Sequence, residues 1–277
     1  MFSLNSLVAS PFLKHEHNKS PDAPALLSMK HPLLLTLVGL LLGGSLSAKE
    51  ASSVDPNALS LLKRMSTTLS GTKSFTVETH SVLEIPSVSG QFLTLFPEGK
   101  IFLRRPDKVR AQLGGDAPPF DFYYDGASVS AMAPHKKVYS TVKAPSGINE
   151  MLSGLQKETG IRFPSSPILN SDPYAVLSRG LLSAVVVGPC KVHGIECDHL
   201  AFRSPGVNWE IWIDAGAKAL PRRLAVTFTD KPNLPRTIVE FSAWNLHPLL
   251  FDSWFVFHPP AGFKEIPFKA VLKASDR

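Results

Sequence analysis

The sequence is poor in cysteine, in charge and in long apolar runs. Two cysteines among 277 residues close at most one bridge, which excludes a small disulfide-built scaffold. Charged residues make up 19% and hydrophobic ones 44%, with a formal net charge of +6. Acidic and basic residues alternate along the chain, so no polybasic block offers nucleic acid a surface. The high apolar fraction also excludes a disordered chain. There is no G-x-S-x-G, no H-E-x-x-H and no P-loop, and Gly126-Ala127-Ser128-Val129-Ser130 lacks the second glycine of a nucleophile elbow. The chain reads as a non-enzyme and calls for no cofactor.

The longest apolar run is Leu33 to Leu42, led by Pro32 and preceded by Lys30 and His31. Ten residues cannot cross a hydrocarbon core, which takes about 20, but they match a secretory h-region. Small residues follow, and cleavage is expected after Ser47, with Ala48 as the alternative. No cysteine lies near that site, so the product is expected to be a soluble exported protein without an acylated terminus or an integral membrane segment. Residues 1–28 read as a mis-assigned or disordered extension ahead of a true start at Met29, with the signal peptide over 29–47. Removing residues through Ser47 leaves 230 residues with 26 basic and 21 acidic side chains, net +5.

The mature chain opens on a helix. Asp55 is a fitting N-cap, Pro56 suits the first helical position, and Leu59, Leu62, Met65 and Leu69 recur at intervals of three and four before Ser70-Gly71. The period then changes to two. Short strands are expected at Phe75–His80, Gln91–Arg104, Lys108–Leu113, Phe120–Tyr124, Val129–Ala133 and Lys137–Val142, with connections too brief for crossover helices. Helices near Ile148–Lys157 and Tyr174–Ser178 interrupt them. Strands resume at Leu182–Pro189, Glu196–Arg203, Asn208–Asp214, Pro221–Thr229, Thr237–Leu246 and Trp254–His258. This is one mainly β domain of the α+β class, over 55–262, with residues 263–277 as a C-terminal tail.

A single antiparallel sheet of that size curls or closes, which leaves a concave face. Phe75, Val77, Leu93, Leu95, Trp209, Ile211, Ile213, Leu224, Val226 and Phe228 are candidates to line it as a ligand cavity. The alternative is that they fill a solid core. Arg104, Arg105, Lys108 and Arg110 cluster around Pro106-Asp107, as a solvated turn or as a basic rim that meets anionic headgroups or a protein. A lone histidine on a strand, such as His80 or His258, is expected to be structural or exposed. Asp125-Gly126 reads as a turn, and Asp198 and His199, being adjacent on a strand, point to opposite faces and cannot pair.

Cys190 to Cys197 reads as a hairpin turning at His193-Gly194. Val192 then faces Ile195, Lys191 faces Glu196 and Cys190 faces Cys197, at a spacing that a cross-strand disulfide accepts. A rival reading takes Cys190, His193, Cys197 and His199 as zinc ligands, but their spacing departs from common zinc patterns.

The run Leu103-Arg104-Arg105-Pro106-Asp107-Lys108-Val109-Arg110, then Tyr124-Asp125-Gly126, Trp244-Asn245-Leu246 and Phe255 to Gly262, resembles the superfamily of outer-membrane lipoprotein carriers. More closely, Cys197 to Arg203, Val207 to Ile213 and Pro221-Arg222-Arg223-Leu224 are similar to a bacterial family of predicted periplasmic proteins of unknown function. The resemblance covers about Asp55 to Gly262. It implies an unclosed β-barrel with the N-terminal and central helices in its mouth. That fold carries acyl chains in lipoprotein chaperones and senses lipoproteins or envelope stress in a relative. The expectation is a periplasmic protein that binds a hydrophobic ligand such as a lipid or an acylated protein. An envelope sensor that binds a protein is the alternative, and a hydrolase a remote one.

Overall fold

Asp55 caps the first helix as its position in the sequence requires. Its carboxylate accepts from the Asn57 amide at 2.8 Å, and Pro56 needs no partner for the N–H that it lacks. The computed structural model describes residues 54–86, 90–159 and 165–274. The expected extension and signal segment lie outside the described residues. Helix α1 is Pro56–Gly71, followed by β1 (Ser74–Pro86), β2 (Phe92–Leu95), β3 (Pro97–Arg104), β4 (Lys108–Gly115), β5 (Phe120–Tyr124), β6 (Ser128–Ala133) and β7 (Val138–Lys143). Helices α2 (Ile148–Thr159), α3 (Ser166–Leu169) and α4 (Pro173–Leu177) come next. The chain continues with β8 (Ser183–Val192), β9 (Ile195–Ser204), β10 (Val207–Asp214), β11 (Pro221–Phe228), β12 (Arg236–Asn245), β13 (Lys264–Glu265) and α5 (Phe268–Ala274).

All thirteen strands share one sheet, in the order β13-β7-β6-β5-β4-β3-β1-β12-β11-β10-β9-β8, with β2 paired to the far end of β1. The outermost strands β13 and β8 do not pair, so the barrel is unclosed. Every pair is antiparallel except β13 with β7, which makes the sheet mixed. The expected strand from Gln91 to Arg104 is divided in two. β2 pairs with Leu83–Pro86 and β3 with Ser74–His80, and Phe96 lies between the two, exposed.

Period-two alternation puts Phe75, Val77, Ile101, Leu103, Val109, Phe122, Tyr124 and Val129 on one face, all buried in the main core. From the helices, Leu62, Met65 and Leu69 of α1 and Met151 and Leu155 of α2 enter the same core. Helix α1 lies over β8 and β10. Ser66 of α1 accepts the Tyr174 amide at 2.9 Å and donates to Asp172 at 3.3 Å, which ties α4 to α1.

The end of the chain departs from the expectation of a tail. After β12 it runs as a strap across the outer face of the sheet, where Leu250 and Phe255 bury against Phe102 of β3. Trp254 meets Phe102 edge-on at 5.6 Å, and Phe257 packs beside Tyr123 and Tyr139 at 5.3 and 5.4 Å. The expected strand at Trp254–His258 is this strap. Its alternating aromatics pack outward-facing side chains of β3, β5 and β7 instead of joining the ladder. Strand β13 then pairs with Val138 and Tyr139 at the β7 edge, and α5 turns into the main core with Phe268, Val271 and Leu272.

Leu62→Ala is expected to cost about 2–5 kcal/mol, because it leaves a cavity under α1. Leu249→Ala, at a site 83% exposed on the strap, is expected to change stability by less than about 0.5 kcal/mol. Urea unfolding of the two variants checks both.

Candidate functional site

The inner face can be followed as rows of directly opposed residues. One row runs Val186, Leu200, Ile211, Leu224, Val239 across β8 to β12. The next runs Ala184, Phe202, Trp209, Val226, Thr237, Leu83, Leu95 from β8 to β2. Phe202 and Trp209 stack at 4.0 Å with their rings 10° from parallel. Of the expected cavity residues, Phe75, Val77, Trp209, Ile211, Ile213 and Leu224 are buried in the main core among the helix side chains.

Burial declines toward the other end of the same face. Leu93, Leu95, Val226 and Phe228, expected in the cavity, are half-buried there. Leu83 and Val207 share that state, and Leu113 is exposed. These three were not singled out in the sequence, although their period-two phase places them on this face. Gly99 keeps the border narrow, since a Cβ there would lie 2.6 Å from Thr79 Oγ1 and 3.0 Å from Leu113 Cδ2. Thr237, 1% exposed, is the polar member of its row, and its Oγ1 is buried without a hydrogen-bond partner.

The three arginines of the expected basic rim each have partners within the fold. Arg104 faces outward, donates to the Leu250 carbonyl at 2.8 Å and is ion-paired with Asp252, so it fastens the strap. Arg110, also outward, lies over Tyr123 at 4.9 Å and Phe102 at 5.8 Å. Arg105, in the turn, donates to the Leu169 carbonyl at 3.1 Å and the Leu69 carbonyl at 3.3 Å. It joins the ends of α3 and α1, and burial lowers its pKa. Alternation keeps Arg104 and Arg110 on the outer face, and the turn sends Arg105 to the helix ends.

The hairpin is as expected in register. His193 and Gly194 both have positive φ, Val192 opposes Ile195, Cys190 opposes Cys197, and Lys191 pairs with Glu196 at 2.8 Å. The disulfide is not formed. Both cysteines are free thiols, with Cys197 turned to the Ile195 carbonyl at 3.4 Å, and burial pushes both thiol pKa values up.

The four possible zinc ligands do not converge. His193 Nε2 meets Glu240 at 2.8 Å and His199 Nε2 meets Glu210 at 2.9 Å. Among the described residues no group of three or more His, Cys, Asp or Glu could hold a metal. On the outer face His199, Trp212, Arg223 and Glu240 are successive cross-strand neighbours. The imidazole stacks on Trp212 at 4.1 Å, Arg223 covers Trp212 at 5.3 Å, and Arg223 Nε donates to Glu240 at 2.8 Å. Burial by itself raises the Glu240 pKa, but the hydrogen bonds from His193 and Arg223 outweigh it and the net shift is downward.

Asp125 accepts from the Ala127 and Ser128 amides at 2.9 and 2.7 Å, which makes it the turn residue expected. Asp198 bonds Arg64 at 3.4 Å on the α1 side while His199 faces outward, so the two do not pair. His80 and His258 are exposed.

The profile of the family described as "Predicted periplasmic protein (DUF2092)" matches residues 58–269. No curated protein matches the sequence. Among solved structures, the chain is similar to lipoprotein LppX of Mycobacterium tuberculosis, with 15% identity over 71% of this chain and 98% of that one and a TM-score of 0.44. It is similar to LprF of Mycobacterium bovis, with 12% identity over 72% and 97% and a TM-score of 0.42. The Pseudomonas aeruginosa MucA/MucB complex matches at 17% identity over 68% and 56%, with a TM-score of 0.37. Among the described residues no helix is long and apolar enough to cross a membrane.

Two substitutions test the polar framework. Arg105→Ala is expected to cost about 1–3 kcal/mol, since it takes the guanidinium donor from the Leu169 carbonyl and leaves the Leu69 carbonyl to the Thr72 amide alone. Glu240 is held below its ordinary 4.5 in the fold, so its contribution is present above that value and is lost as pH falls through the lowered folded pKa. Glu240→Gln is expected to lower stability by about 0.5–1 kcal/mol at neutral pH. The gap from the parent protein closes in acid, as chemical denaturation across a pH series would record.

Proposed function

The chain belongs to the family of predicted periplasmic proteins whose profile spans it, and from that membership we propose that it binds or carries a hydrophobic, acyl-bearing ligand in the periplasm. The ligand rests on the half-buried end of the concave face. One observation carries the reading: Leu83, Leu93, Leu95, Val226 and Phe228 stand on a common face of β1, β2 and β11, and the fold leaves all five half-covered. Apolar side chains gathered on a concave surface and only partly covered suit an apolar guest. The packed core beyond them closes the inner end, so a chain lying there meets the Trp209–Phe202 stack. The reading invokes no catalytic group, since Asp125 is engaged in a turn and His193, His199 and Asp198 in ion pairs.

A second reading, an envelope sensor that docks a protein, is favoured by the strap. Leu249, Phe251, Trp254 and Val256 are exposed within eight residues on the outer face. It predicts a protein captured from the envelope and little lipid.

Native mass spectrometry and organic extraction of protein isolated from the periplasm are expected to reveal a co-purifying acyl lipid. A fluorescent fatty-acyl probe is expected to bind, and Leu95→Lys to weaken it by about tenfold or more. The substitution is expected to leave the unfolding midpoint near that of the parent. Absence of both lipid and probe binding would overturn the carrier reading. An envelope protein recovered in place of lipid would establish the second.

A further inference from the structure

Thr237 breaks the chemistry of its row. It stands on the inner face between Leu83 of β1 and Val226 of β11, its direct partners, with Leu95 beyond the first and Trp209 beyond the second. Its side chain is nine-tenths buried and more, and its hydroxyl has no hydrogen-bond partner. Valine has the same shape, favours strands equally and would leave no polar atom behind. The hydroxyl therefore works against the ligand-free fold, and a buried polar group without a partner calls for an explanation. Both of its direct neighbours belong to the half-buried end of the face.

We infer that Thr237 donates a hydrogen bond to a neutral carbonyl oxygen of the ligand, so that the site selects an esterified acyl chain over a plain hydrocarbon. This inference rests on the carrier reading above and names the ligand class for it. The neutrality follows from the surroundings. The row from Leu95 to Ala184 contains no charged side chain, and a carboxylate at that depth would lack a counter-charge. An ester or amide carbonyl needs one donor, and Thr237 Oγ1 supplies one. A chain lying over Leu95, Leu83 and Val226 brings its carbonyl to the hydroxyl as it parts those half-buried side chains.

The test compares two probes that differ only in the ester group: the methyl ester of a pyrene-labelled fatty acid, and an alkylpyrene of equal length. Fluorescence titration of the parent protein is expected to favour the ester by about three- to tenfold, the range of one net hydrogen bond. Thr237→Val is expected to abolish that preference by weakening the ester alone, and Thr237→Ser to retain it. Ligand-free Thr237→Val is expected to unfold at the parent's temperature or above, because it deletes an unpaired hydroxyl. A purely structural role for Thr237 would move both probes together. If both probes bind and the preference is the same in Thr237→Val, the inference is overturned and the carrier reading stands. If neither probe binds the parent protein, the carrier reading fails and takes the inference with it.

Discussion

The structure depends on covering one face of one very large sheet. Thirteen hydrogen-bonded strands present a continuous apolar surface on the inner side, and no second sheet exists among the described residues to meet it. The chain's own helices do so instead. Leu62, Met65 and Leu69 of α1 bury in the main core where the helix lies over β8 and β10, and α5 does the same at β6 and β7. The polar framework serves that contact. Arg105 bonds the carbonyls of Leu69 and Leu169 at the ends of α1 and α3, and Ser66 holds the start of α4. What the helices leave half-covered, from Leu83 to Phe228, is where the proposed guest would rest.

The two halves of the outer face solve a different problem. Over β3 to β7 the strap covers the sheet with Leu250, Phe255 and Phe257. Across β9 to β12 the surface is solvated by a ladder of paired charges built on Trp212, in which each imidazole and carboxylate is already engaged.

Much of this was legible from local pattern. The cap at Asp55, the apolar stripe of α1, the alternation of β4 to β12 and the register of the Cys190–Cys197 hairpin are short-range features, and short-range features are written in the residues themselves. The misreadings have tertiary causes. Phe255 and Phe257 alternate like strand residues, but their partners lie across the sheet. Period two identifies the face on which Phe75 and Leu93 stand, yet not their distance from a helix that covers one and spares the other. Of the three arginines near Pro106, Arg104 and Arg110 share the outer face by alternation, while the turn carries Arg105 away to the helix ends. Thr237 was visible as a hydroxyl in phase with Val239 and Phe241. Its lack of a partner emerges only from its cross-strand neighbours.

The strap also bears on why the barrel stays open. It adheres to the convex side of the sheet through Leu250, Phe255 and Phe257. It ends by placing β13 along β7, which occupies the hydrogen-bonding edge that β8 would need in order to close the cylinder. A cylinder closed through β7 and β8 would first have to displace that pairing.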